Sequence, residues 1–240
     1  MPLFGRRKQT EEIQTAAGCG EHGPCRALAG IAMADLPARL GLLITPASPA
    51  LGPDPVVQPF EGELVIVLCV KGGRGQDGVT DALVIPEHLA NQWSTTHDDL
   101  WGWAHANLSR EQVNRQTFTA DGGDSLHVVN GMGWPGAAQV LQAEAAFDLP
   151  LPYGAVVTLP TSNVVCGVPI RSATSLKKIP FLIQLTSELR TPDSGFFGMD
   201  LYWYIDGELE NLNARLQDGQ DARMRVSTRF KTMMESLPTR

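Results

Sequence analysis

No stretch of this chain has the length and apolarity of a membrane-crossing helix. The longest apolar run, Leu64 to Val70, has only the length of a strand, whereas a bilayer span needs about 20 residues. Charge is sparse too. Charged residues make up 19% of the chain and leave a formal net charge of −7, which counts against broad nucleic-acid binding because that requires a basic face. The four cysteines are unequally spaced and do not suit the disulfide framework of a small secreted domain. There is no internal repeat, no low-complexity segment and no Gly-x-Ser-x-Gly nucleophile elbow. Arg6, Arg7 and Lys8 lead into Gln9-Thr10-Glu11-Glu12 rather than an apolar segment, so the N-terminus is not read as a secretion signal. A cytoplasmic protein is expected, with no membrane and no nucleic acid among its partners.

What is present is an ordinary globular composition. Hydrophobic residues account for 43% of 240 positions, enough for a substantial core without cross-links. The most strand-like part is Ala155 to Ile170, two β-branched runs flanking the polar turn Pro160-Thr161-Ser162-Asn163. We place it at the middle of a sheet. Before it, the spacing predicts a loose leader over 1–24, a helix from Arg26 to Leu40 that Pro37 ends or kinks, and a proline-rich linker from Pro46 to Pro59. A buried strand from Glu63 to Lys71 follows, with a return strand at Ala82 to Ile85. Thr96 and Asp99 have capping-box spacing for a helix from His97 to Leu108. On that helix Leu100, Ala104 and Leu108 share a stripe, and Trp101 and Trp103 cannot face the same way. Ser125 to Asn130 reads as a strand, Gly136 to Phe147 as an Ala-rich helix and Leu182 to Leu189 as another. Leu201 to Ile205 is an aromatic strand, and Asp206-Gly207 is a hairpin signal because Gly supplies the positive φ of a type I′ turn. A basic helical tail closes the chain, with Arg223, Arg225, Arg229 and Lys231 on its polar side.

The DG hairpin and the irregular mixing of elements favour α+β, with a mainly antiparallel sheet and helices packed on one face. The expected organisation is the leader, an N-terminal helix and linker over 25–58, a main domain over 59–214 and the tail over 215–240.

Gly131-Met132-Gly133-Trp134-Pro135-Gly136 is a literal G-x-G-x-x-G between a predicted strand and a predicted helix. Such a loop can aim N–H groups at a pyrophosphate. The fingerprint also wants an acid after the next strand, where this chain has Thr161-Ser162-Asn163, and a Trp-Pro pair occupies its interior. A plain turn is the simpler account. Cys19, His22 and Cys25 could offer three zinc ligands, but no neighbour supplies a fourth. Asp121 and Asp124 lack the remaining oxygen ligands of a calcium loop. Ser162 could be a nucleophile with His105 or His127 as its base, yet nothing in the sequence says that they meet. No catalytic residue, metal or cofactor is assigned. Ser162, Asn163, Asn107 and His127 are carried forward as a candidate polar ligand site, if the fold brings them together.

Three segments carry a family resemblance. They are the helix Asp99-Leu100-Trp101-Gly102-Trp103-Ala104-His105-Ala106-Asn107-Leu108, the strand-turn-strand from Ala155 to Val165 around Pro160-Thr161-Ser162-Asn163, and the aromatic hairpin Tyr202-Trp203-Tyr204-Ile205-Asp206-Gly207. Over roughly Leu64 to Leu212 the chain resembles the YtpQ-like family of bacterial proteins, a domain of unknown function. The resemblance implies an α+β fold and no assigned activity. The family tends to carry an acid in the polar turn where this chain has Asn163, so no acid-dependent role carries over. The expected function is a protein-binding module without catalysis, its partner another protein. The alternative is a nucleotide- or dinucleotide-dependent enzyme using the loop from Gly131 to Gly136.

Overall fold

The computed structural model describes residues 23–74, 80–119, 125–189, 195, 197–213 and 226–238. They form two compact units that divide between Glu111 and Gln112. Residues 1–22 of the expected leader, with Cys19 and His22, lie outside the described residues, as do Asp121, Asp124, Arg223 and Arg225, while Gly23 and Pro24 already belong to a helix.

The first unit is built on a four-stranded antiparallel sheet. Two short helices, α1 (Gly23–Ala29) and α2 (Leu36–Arg39), lead into β1 (Leu40–Pro46). The helix expected from Arg26 to Leu40 is two helices, and Pro37, expected to end or kink it, sits in the first turn of the second, where its missing N–H costs nothing. Strand β1 was not expected. Leu40, Leu42, Leu43 and Ile44 are all buried against its neighbour. The proline-rich stretch contributes β2 (Val57–Pro59), and Leu64-Val65-Ile66-Val67-Leu68-Cys69-Val70 forms the core of β3 (Leu64–Arg74). Strand β3 pairs with β1 along one side. Along the other it pairs with β2 and then β4 (Thr80–Val84).

A one-turn helix, α3 (Glu87–Ala90), precedes α4 (His97–Leu108). The capping box is present: the Thr96 hydroxyl accepts from the Asp99 amide at 3.1 Å, and the Asp99 carboxylate accepts from the Thr96 amide at 3.3 Å. These bonds satisfy amides that a helix start leaves without partners. Leu100, Ala104 and Leu108 are buried as the stripe requires, Trp101 is buried beside them, and Trp103 remains partly exposed.

The second unit is a six-stranded antiparallel sheet in the order β10-β9-β7-β8-β6-β5. Strands β5 (Val113–Thr119) and β6 (Ser125–Gly131) form a hairpin, and a 3-10 turn over Ala137–Gln142 passes into α5 (Ala143–Phe147). The Ala-rich helix expected from Gly136 is thus 3-10 for its first half. Strands β7 (Ala155–Thr161) and β8 (Val164–Pro169) are buried at every position, as a central hairpin covered on both faces must be. Helix α6 (Ile179–Glu188) follows, then β9 (Tyr202–Ile205), β10 (Glu208–Asn211) and α7 (Thr228–Ser236). Asp206 and Gly207 turn the last hairpin with φ of 51° and 82°, the positive values that a type I′ turn needs.

The larger core lies on one face of this sheet. Val156, Cys166 and Val168 meet Leu182 and Ile183 of α6 and Phe230 and Met233 of α7. Trp203 anchors it, edge-on to Phe230 with ring centres 5.1 Å apart, its indole N–H donating to the Tyr153 carbonyl at 3.0 Å. That bond satisfies the polar end of an otherwise buried ring. The opposite face is closed by α5. Phe147 fills the space left by Gly167, where a Cβ would lie 2.4 Å from its ring. The α+β, antiparallel expectation therefore holds. Among the described residues no helix is long and apolar enough to cross a membrane.

Candidate functional site

The four residues carried forward from the sequence have separate partners. Asn107 belongs to the first unit. Its amide nitrogen donates to the carbonyls of Pro37 at 2.6 Å and Leu40 at 2.9 Å, joining α4 to the entry of β1. Buried amides need such partners, and the role of Asn107 is to fix that junction.

Asn163 and Ser162 form the other half of the glycine loop. The Asn163 side-chain oxygen accepts from the Gly136 amide at 3.1 Å, and its carbonyl accepts from the Gly131 amide at 3.2 Å. The Ser162 carbonyl accepts from Ala137 N–H at 2.9 Å, and the Gln112 carbonyl accepts from Met132 N–H at 2.9 Å. Four amides around the G-x-G-x-x-G are thus held by protein acceptors instead of being directed at an anion.

Two of the glycines have a steric reason. A Cβ on Gly131 would meet the Trp134 carbonyl oxygen at 1.9 Å, and one on Gly136 would meet the Gly131 nitrogen at 2.3 Å. The motif is a clasp between the end of β6 and the β7–β8 turn. Its glycines permit close backbone approach.

His127 is buried on β6. It sits opposite Thr117 on one side and Gly167 on the other. Its Nε2 lies 2.7 Å from the Ser125 hydroxyl and its Nδ1 lies 3.3 Å from the Thr117 hydroxyl, with the Phe147 ring 5.4 Å away. The partner of the histidine is therefore Ser125, not Ser162. The signal was available in the sequence, since residues two apart on a strand share a face.

Serine, histidine and a hydroxyl in this order resemble a nucleophile, a base and an orienting group. Their electrostatics oppose that use. Burial, and then the nearby Arg171 cation, push the His127 pKa down, so the imidazolium formed on taking a proton is disfavoured. A neutral threonine stands where a triad has a stabilising carboxylate. The trio is a packing hub.

The thiols give no better nucleophile. Burial pushes Cys69 far up and Cys166 up to about 12, well away from reactive thiolates. Cys25 is buried with its Sγ 3.8 Å from His88 Nε2, and the other two candidate zinc ligands, Cys19 and His22, lie outside the described residues. Among the described residues no cluster of three His, Cys, Asp or Glu could hold an ion. Arg229 of the tail turns back on its own hairpin, its guanidinium 2.6 Å from Glu208 and 5.4 Å from the centre of the Trp203 ring.

The feature left without internal explanation is β5. It is an edge strand, exposed from Asn114 through Thr119, and it pairs with β6 over seven residues with no bulge. Natural edges are guarded by charge, proline, bulges or shortness. Here the only charge, Arg115, folds away to donate to the carbonyls of Ala146 at 2.7 Å and Ala145 at 3.1 Å. Phe118 remains 53% exposed. The opposite edge, β10, is four residues long and carries Glu208 and Glu210. Among the described residues, one edge of the sheet is defended and the other is open.

No protein-family model, curated protein or solved structure matches the chain.

Proposed function

We propose that the protein works by binding another polypeptide, without catalysis of its own, and that an extended segment of the partner adds to β5. The bare edge of β5 carries the reading. A regular strand whose outward N–H and C=O groups pair with no described strand supplies main-chain affinity, and alternate side chains supply specificity. The partner segment suited to it is extended and nearly uncharged. The electrostatics around His127 and the engaged amides of the glycine loop support a binding role over the nucleotide-dependent alternative.

Selection of short random peptides on the intact chain tests this directly. Selected peptides should protect the β5 amides from hydrogen exchange. Phe118→Lys, which restores an edge guard at an exposed position, should weaken them by roughly tenfold or more, the equivalent of about 1.4 kcal/mol. Peptides that protect other amides, or that bind the variant equally well, would refute the assignment.

Kinship with the YtpQ-like family is part of the same proposal. Its three resembling segments coincide with α4, the β7–β8 turn and the β9–β10 hairpin. A cytoplasmic setting is proposed from the composition.

A further inference from the structure

Building on the β5 docking edge proposed above, we infer that the strand added to β5 is the β5 of a second copy of this chain, antiparallel to the first about a two-fold axis at Gln116. Three observations carry the step. The first is register. Centred on Gln116, the seven residues of β5 pair without overhang, Val113 opposite Thr119, Asn114 opposite Phe118 and Arg115 opposite Thr117. No like charges are directly opposed, an arrangement that would destabilise the ladder; the two Arg115 side chains are diagonal, and each is turned back to the Ala145 and Ala146 carbonyls of its own copy. The second is side-chain chemistry. The exposed Phe118 ring meets Asn114 of the other copy and lies diagonal to its Gln116, while the two Gln116 amides stand side by side at the axis and can bond each other.

The third is closure. An isologous pairing uses the same patch on both copies and stops at two, provided that the remaining edges do not pair in turn. Here those edges are the two β10 strands, short and carrying Glu208 and Glu210. One open and one guarded edge per sheet suits a closed dimer. An endless stack would need two open edges.

Light scattering on the full chain across a concentration series, with two single-cysteine reporters, tests the inference. Residues paired across an antiparallel ladder have Cα atoms about 4.5–5.5 Å apart, within disulfide reach, so Gln116→Cys should give an oxidised covalent dimer. Phe118→Cys should not, because each Phe118 lies opposite Asn114 and far from its own copy. The wild type should have dimeric mass, and Phe118→Lys should return it to monomer. A monomer at every concentration with no Gln116→Cys cross-link overturns the second-copy inference. It leaves the β5 edge itself to be judged by the peptide selection. Equal cross-linking of both reporters, cross-linking of Phe118→Cys alone, or a dimer indifferent to Phe118→Lys would overturn it as well.

Discussion

Replacing Asn163 with alanine should loosen the clasp between the glycine loop and the β7–β8 turn. The side-chain oxygen accepts from Gly136 N–H at 3.1 Å, and Gly136 is buried. Removing the acceptor strands a donor, a cost of about 1–3 kcal/mol. Asn163→Asp keeps an oxygen in the same place and should fall within about 1 kcal/mol of wild type. Gly131→Ala attacks the clasp from the other side. Its Cβ would lie 1.9 Å from the Trp134 carbonyl oxygen and 2.8 Å from the Asn163 side-chain oxygen, and since the first is backbone the loop must shift, at about 1–3 kcal/mol. Because each substitution breaks the same contact, the double variant Gly131→Ala with Asn163→Ala should lose less than the sum, by roughly 0.5 kcal/mol or more. Calorimetry suits the measurement because two units can give two transitions. For a chain this size 1 kcal/mol moves the midpoint by about 2–4 °C. If Asn163→Asp is as damaging as Asn163→Ala, or Gly131→Ala is silent, the loop is not held in the way described.

Gly207→Ala should cost about 1–2 kcal/mol from backbone strain alone, since its φ is 82° and no atom lies within 4 Å of the added Cβ; thermal melts of the variant check it. Gly102→Ala should do the opposite. The site is exposed inside α4 with open space around it, so denaturant unfolding should show a gain of up to about 1 kcal/mol. His127 makes stability pH-dependent. Its folded pKa lies below the ordinary 6.5, so the unfolded chain takes up the proton first. The stabilisation is complete above pH 6.5 and is lost as pH falls through 6.5 to the lower folded value. Unfolding free energies at pH 7.5 and 5.5 should therefore converge in His127→Gln relative to wild type, and an unchanged pH slope would count against the burial argument.

The elements legible in the sequence are those whose local chemistry and burial agree. The run from Leu64 to Val70, the Thr96 capping box and the Asp206-Gly207 turn each name their own structure. Strand β5 had no such mark. Val113-Asn114-Arg115-Gln116-Thr117-Phe118-Thr119 shows no apolar alternation because neither face is buried, and only pairing with β6 makes it a strand. Strand β1 was hidden differently, since Leu36 and Leu40 continue a helical spacing that ends at Arg39. For the candidate site, both halves of the clasp were visible as motifs, yet their meeting is tertiary. Gly136 and Asn163 are 27 residues apart, and no local pattern joins them. Asn107 and His127, carried forward as candidate ligand-site residues, are bound within the fold: two backbone carbonyls hold Asn107, which no local pattern announces, and two hydroxyls flank His127, of which only Ser125 could be read from strand spacing.

The separation between Gly136 and Asn163 also bears on the order of folding. Strands β7 and β8 are joined by a two-residue turn and can pair on the microsecond scale of a hairpin. Three of the four held amides of the glycine loop, those of Gly131, Gly136 and Ala137, have no acceptors until that turn exists. The pairing of β6 with β8 must also close the much longer loop that carries the 3-10 turn and α5, an entropic cost met before any contact rewards it. We therefore expect the clasp to form after the barrier is crossed. An interaction of that kind does little for the speed of folding and slows unfolding instead, so the turn at Ser162 and Asn163 acts as a latch on the lifetime of the native sheet.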